Sequence, residues 1–139
     1  MMNKVIICIL TMSISCQAIA IDCSGREKNF QSSMEKMYDC TEDKMKKVFD
    51  MTTQPRDIAI SVSYQCYLYV KKLSESQYDV MACQAANDEG VSISVIEKKN
   101  NRAIWVSKSS DEINEILLNK YISDTVRYRA KIIELNKNR

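Results

Sequence analysis

The sequence predicts a mainly α, α+β fold: a disulfide-stapled three-helix N-terminal half, then a β-hairpin and a long C-terminal helix, in the order α-α-α-β-β-α. Three observations carry this expectation. Apolar residues recur at three- and four-residue steps through most of the chain. One segment, 91–107, changes to a two-residue period. Four cysteines, Cys23, Cys40, Cys66 and Cys83, punctuate the helical part of a short chain that opens with an export signal.

Residues 1–20 read as a cleavable signal peptide. Lys4 precedes the apolar run from Val5 to Met12, and Ala18-Ile19-Ala20 is an A-x-A cleavage site. The apolar run is too short to span a bilayer, which takes about 20 residues. Small residues ahead of Cys16 also suit a lipoprotein, without the usual Leu three positions earlier. Cleavage after Ala20 leaves residues 21–139 as a single exported domain with no transmembrane segment. The whole chain has 20 Lys+Arg and 18 Asp+Glu; losing Lys4 leaves 19 against 18, a net of +1. That balance argues against a nucleic-acid partner, which needs a broad basic footprint.

The first helix is expected over 25–50. Ser24-Gly25-Arg26-Glu27 has the form of a capping box, and Phe30, Met34, Met37, Thr41, Met45, Val48 and Phe49 fall on one face. Thr52-Thr53-Gln54-Pro55 stops that helix and restarts the next, with Pro55 in a first turn. Helix two then runs to Leu73, with Ile58, Ala59, Val62, Cys66, Tyr69, Val70 and Leu73 inward. Ser74-Glu75-Ser76-Gln77 offers a cap for helix three, which runs to Asn87 and is closed by Gly90.

This layout selects a cysteine pairing. Helices one and two, antiparallel about 51–54, bring Cys40 level with Cys66. Bridging Cys23 to Cys40 inside one continuous helix would need a span of about 25 Å at 1.5 Å per residue. A disulfide needs its Cα atoms within about 7 Å. The expected bridges are therefore Cys40–Cys66 and Cys23–Cys83; a break at 39–41 would favour Cys23–Cys40 and Cys66–Cys83. The chain has no C-x-x-C pair and no His, so no zinc-type site or other metal is expected.

In the second half, Val91, Ile93 and Val95 alternate with Ser92 and Ser94. Lys98-Lys99-Asn100-Asn101 is turn-prone, and Arg102–Ser107 reads as a returning strand. Ser109 and Glu112 are spaced as a capping box for the last helix, whose stripe is Ile113, Leu117, Tyr121, Tyr128, Ile132 and Leu135.

Catalytic equipment is sparse. The absence of His removes Ser-His and Cys-His dyads, and two glycines cannot build a phosphate-cradling loop. The carboxylate groups Asp39/Glu42/Asp43, Asp88/Glu89 and Asp111/Glu112 read first as solvated or as helix-start charges. No enzyme activity, catalytic residue or cofactor is expected. Two features suit recognition instead. Tyr64 and Tyr67 lie away from the core face of helix two, and Trp105 fits either a core or an interface. Arg127, Arg129 and Lys131 form a basic C-terminal stretch, suited to an anionic partner or to the helix dipole.

Asp22-Cys23, Met34-Glu35-Lys36 and Cys40-Thr41-Glu42-Asp43-Lys44-Met45 faintly resemble the start of a family of small lysozyme inhibitors of the bacterial envelope. The wider cysteine spacing and the aromatic-rich helix that follows depart from that pattern, so no membership is assigned. The resemblance illustrates the expected class: a small exported protein acting by contact with an extracytoplasmic protein. Its concrete form is a periplasmic inhibitor or immunity-type protein in a bacterium, otherwise a secreted one. The alternatives are a small secreted hydrolase using paired carboxylates, and an envelope assembly accessory or secreted effector.

Overall fold

The computed structural model describes residues 20–137, so the expected signal peptide lies outside the described residues except for Ala20. The described residues form four helices and no strand: α1 (Ser24–Val48), α2 (Pro55–Glu89), α3 (Ile93–Lys99) and α4 (Arg102–Lys137). α2 is the spine. α1 packs antiparallel on one side of it and α4 on another, while α1 and α4 make no comparable contact with each other.

α1 begins one residue earlier than the capping-box reading requires. Cys23 is the N-cap, and Asp22, just outside, accepts the Ser24 amide at 2.9 Å. The last turn carries Lys46 and Lys47, which complement the helix dipole. Asp50 then organises the connection, accepting the amides of Thr52 and Thr53 at 2.7 and 2.6 Å and the Thr53 hydroxyl at 2.5 Å. Pro55 opens α2, where its missing N–H costs nothing.

The expected break between helices two and three does not occur. α2 runs through Ser74–Gln77 because these serines turn their hydroxyls back on their own helix. Ser74 donates to the Val70 carbonyl at 3.2 Å and Ser76 to the Leu73 carbonyl at 2.9 Å. Both serines are buried, so an internal bond replaces the capping role. α2 ends at Gly90, whose φ of 65° is the left-handed conformation glycine adopts without a Cβ penalty. The Val91 amide reaches back to Ala86 O at 3.0 Å and closes the end.

The β-hairpin is also overturned: 91–107 contains the short helix α3 and the start of α4. The alternation of Val91, Ile93 and Val95 is real, but Ile93 and Ile96 are also spaced three apart. Ile96 is buried among Tyr78, Ala82 and Ala86 of α2. A two-stranded hairpin has no sheet to join here and is marginal alone. A helix satisfies its own backbone and still buries one face. The polar 98–101 segment remains a turn, in which the Asn101 carboxamide accepts the Ile104 amide at 3.2 Å, starting α4 seven residues before Ser109. Val106, Ser110, Leu117, Tyr121 and Thr125 then lie buried along one continuous face.

Two apolar clusters result. Met37 of α1, Ala59, Val62, Val70 and Leu73 of α2, and Leu117 and Tyr121 of α4 form one. Tyr78, Ala82, Ala86, Ile96 and Val106 form the other, covered by Trp105 and Ile93. Each fully buried large side chain contributes about 1.5–3 kcal/mol. Two cysteine pairs sit at disulfide distance, Cys23–Cys83 with Cα atoms 5.9 Å apart and Cys40–Cys66 at 6.0 Å. Because the expected helices two and three are one, both bridges join α1 to α2 rather than fastening three separate helices.

Candidate functional site

The outer face of α2 carries an uninterrupted apolar stripe. Ile60, Tyr64, Tyr67 and Leu68 are spaced so that helical geometry puts them on one side, turned away from buried Val62, Cys66 and Val70. Tyr64 is 85% exposed and Leu68 75%, values that belong to unpacked side chains. Lys71 follows one turn after Tyr67 and extends the stripe with a cation. Tyr69, expected on the core face, is instead 43% exposed, because the helix turns its Val70 edge inward at this level.

A groove of about 820 Å³ opens between the C-terminal half of α1 and the distal part of α4. Its walls are aromatic and apolar: Tyr38 and Met45 from α1, Phe49 beyond it, and Tyr121 and Tyr128 from α4. The Phe49 and Tyr128 rings meet edge to face with centroids 5.9 Å apart. Charge on the rim is internally paired. Lys46 donates to Glu42 at 2.6 Å, and Lys120 is hydrogen-bonded to Asp124. Arg127 also lines the groove and stands outside the ion pairs found among the described residues.

The Tyr121 hydroxyl is buried without a hydrogen-bond partner. Burial raises its pKa above the ordinary phenol value, the nearby Thr41 hydroxyl opposes this, and Tyr38 and Asp124 add to it. The Thr41 hydroxyl is itself committed to the Tyr38 carbonyl at 2.9 Å. Leaving a buried hydroxyl unpaired costs about 1–3 kcal/mol.

The structure separates the candidates named from the sequence. Tyr64 and Tyr67 share the α2 stripe. Trp105 is half-buried against Tyr78, ring centroids 5.5 Å apart, and belongs to the second core cluster. Arg129 is a structural clamp. Its Nε and Nη2 donate to the Asp50 carbonyl at 3.0 and 2.8 Å, Nη2 also donates to the Thr53 carbonyl, and the guanidinium lies 6.0 Å from the Phe49 ring centroid. Arg127 and Lys131 are exposed. The Ser63–Asn114 hydrogen bond marks the level of Tyr64 on α4, and Arg127 lies about 20 Å further along that helix at 1.5 Å per residue. The two groups are therefore distinct surfaces.

Of the carboxylates weighed for acid/base work, Glu42, Asp43, Glu89 and Glu112 are paired with lysines. Glu42 is held below the usual carboxylate range by its hydrogen bond from Lys46, and Asp43 by that from Lys47. A general acid needs the opposite direction. Among the described residues no group of three or more metal-ligating side chains converges. Compared with known families, characterised proteins and solved structures, the chain matches none. The groove was not anticipated from the sequence. Its available signal was a mismatch in length: the apolar stripe of the last helix continues through Tyr128 and Leu135, with no facing segment left in helix two.

Proposed function

We propose that the chain is a small exported binding protein that acts by contact with an extracytoplasmic protein, through the outer face of α2. In a bacterium this is the role of a periplasmic inhibitor or immunity-type protein. The observation that carries the reading is the exposure of Tyr64 and Leu68 in one stripe with Ile60 and Tyr67. Tyrosine is a frequent interface anchor, and contiguous exposed apolar surface on a small domain marks interaction sites. Two cysteine pairs at disulfide distance are compatible with an oxidising destination. No helix among the described residues is long and apolar enough to cross a membrane.

The test places a photo-crosslinking residue at Tyr64, at Leu68 and, as a control, at Gln84 on another part of α2, in the producing cell. Adducts of one discrete mass at 64 and 68, absent at 84, and lost from a Tyr64→Ala/Leu68→Ala chain carrying the crosslinker at Tyr67, support the proposal. Equal labelling at all positions, or a mature chain that begins at Met1 in the cytoplasm, overturns it.

A further inference from the structure

Among the described residues, three of the four helices carry lysine in their last turn: Lys46 and Lys47 in α1, Lys98 and Lys99 in α3, and Lys137 in α4. The last turn of α2 has no basic residue. It ends on Asp88 and Glu89, the unfavourable sign for the negative end of a helix dipole. Lys99 of α3 reaches Glu89 at 2.5 Å, and Asp88 stands outside the ion pairs found among the described residues. Ile21 lies against this end. Its N–H donates to the Asn87 carboxamide oxygen at 2.6 Å, and the Asn87 amide nitrogen donates back to the Ile21 carbonyl at 2.8 Å. The paired bonds fix which way the carboxamide faces, with its acceptor oxygen toward the Ile21 nitrogen. The Ile21 side chain is half-buried against the cluster of Tyr78, Ala82, Ala86, Ile96 and Val106. Two residues on, Cys23 pairs with Cys83 of α2. Ala20, just before, is exposed, so the seat begins at Ile21.

We propose that Ile21 is the first residue of the exported chain, and that its α-ammonium, created by cleavage after Ala20, docks on Asn87 as the cation that the end of α2 lacks. This rests on the exported reading above, not on the α2 stripe or its partner. Before cleavage the Ile21 nitrogen is an amide with one N–H and no charge. Hydrolysis of the Ala20–Ile21 bond consumes one water, leaves a carboxylate on Ala20, and frees an amine on Ile21 that takes up a proton near neutral pH. The ammonium gives Asn87 a charge-assisted hydrogen bond in place of a neutral one. It also sets a positive charge at the carbonyl end of α2. Processing thereby tightens the junction between the chain's start, α2 and the second apolar cluster, and does so only once the export segment is gone. A start at a lipidated Cys16 would leave Ile21 an interior amide and this end of α2 without its cation.

The intact mass of the chain recovered from the producing cell's exported fraction should correspond to residues 21–139. Oxidised chains 21–139 and 17–139 are then unfolded in urea. The four extra residues carry the ammonium about 13 Å away, past the screening length of about 10 Å in 0.1 M salt, and leave an amide at Ile21. The unfolding constant of the 21–139 chain should be lower by about fivefold, with melting about 4 °C higher. In about 1 M salt the gap should fall below about twofold, which a purely steric effect of the extra residues would not do. Asn87→Ala should shrink the gap to about twofold, the helix-end share. Asn87→Asp, which sets a carboxylate opposite the ammonium, should widen it beyond about fivefold. Each gap compares two chains with the same substitution, so the substitution's own cost cancels. Equal stability of the two starts, or a gap that Asn87→Ala leaves intact, overturns the docking. An exported chain that begins at Cys16 or Met1 overturns the processing step on which it rests, and the mass alone reports that failure.

Discussion

Replacing Arg129 by alanine should destabilise the fold by about 2 kcal/mol. The side chain is only 15% exposed and makes three hydrogen bonds to backbone carbonyls of Asp50 and Thr53. A hydrogen bond to a charged group contributes about 1.5–3 kcal/mol. The three do not add, because one guanidinium makes them all and the freed carbonyls, in a surface connection, regain water. Loss of the contact over the Phe49 ring adds a few tenths of a kcal/mol, at the low end of such interactions. Lysine at this position keeps the charge but cannot bridge two carbonyls with a planar fork, so Arg129→Lys should recover less than half the loss. Urea unfolding of the oxidised protein measures both values, and the slope with denaturant should stay constant. At roughly 4 °C per kcal/mol for a domain of this size, the alanine variant should melt about 8 °C lower. A loss below about 0.5 kcal/mol, the range of an unremarkable surface change, would refute the clamp. Full rescue by lysine would show that charge alone matters.

Three other perturbations test separate parts of the structure. Tyr121→Phe removes a buried hydroxyl that has no partner and should stabilise the protein by about 1 kcal/mol in the same denaturation assay; a destabilisation would mean the hydroxyl is bonded. Replacing Cys40 and Cys66 together by alanine should cost about 3.5 kcal/mol, the chain-entropy value for their separation of 26 residues; a loss under about 1 kcal/mol would show that no bridge forms there. The Asp50 carboxyl is held far below its ordinary range, first by the Thr53 hydroxyl and then by the Thr53 and Thr52 amides. Because the folded value is depressed, its contribution is complete above the unfolded aspartate pKa of about 3.9 and is lost as pH falls through the folded value. Asp50→Asn should therefore flatten the decline of stability below about pH 4, and an unchanged acid limb would contradict the assignment.

The helices of the first half could be read closely because their signals were chemical as well as periodic. Pro55 and Gly90 stand at the two ends of α2, and the α1 stripe from Phe30 to Val48 is the face that packs. Ser74–Gln77 misled because serine caps a helix only where its hydroxyl is not already turned back to a carbonyl, and sequence does not show which. The 91–107 segment misled because a short run of β-branched residues fits either period; burial of Ile96 and Val106 against α2 decided for helix. Of the surface candidates, exposure of Tyr64 and Tyr67 followed from their register. Arg129 did not, since a long basic side chain near a helix end looks the same whether it meets solvent or a loop carbonyl from the other end of the chain.

Both cysteine pairs at disulfide distance close α1 onto α2, whereas α3 and α4 are held by packing, hydrogen bonds and ion pairs. The molecule is thus a tied hairpin with an untied fourth helix packed along it. No cysteine pair restrains α4 against local opening, so slow-exchanging amides should concentrate in α1 and α2 and those of α4 should open first. Reducing agent would then do more than weaken the fold: it would erase the order in which its parts let go.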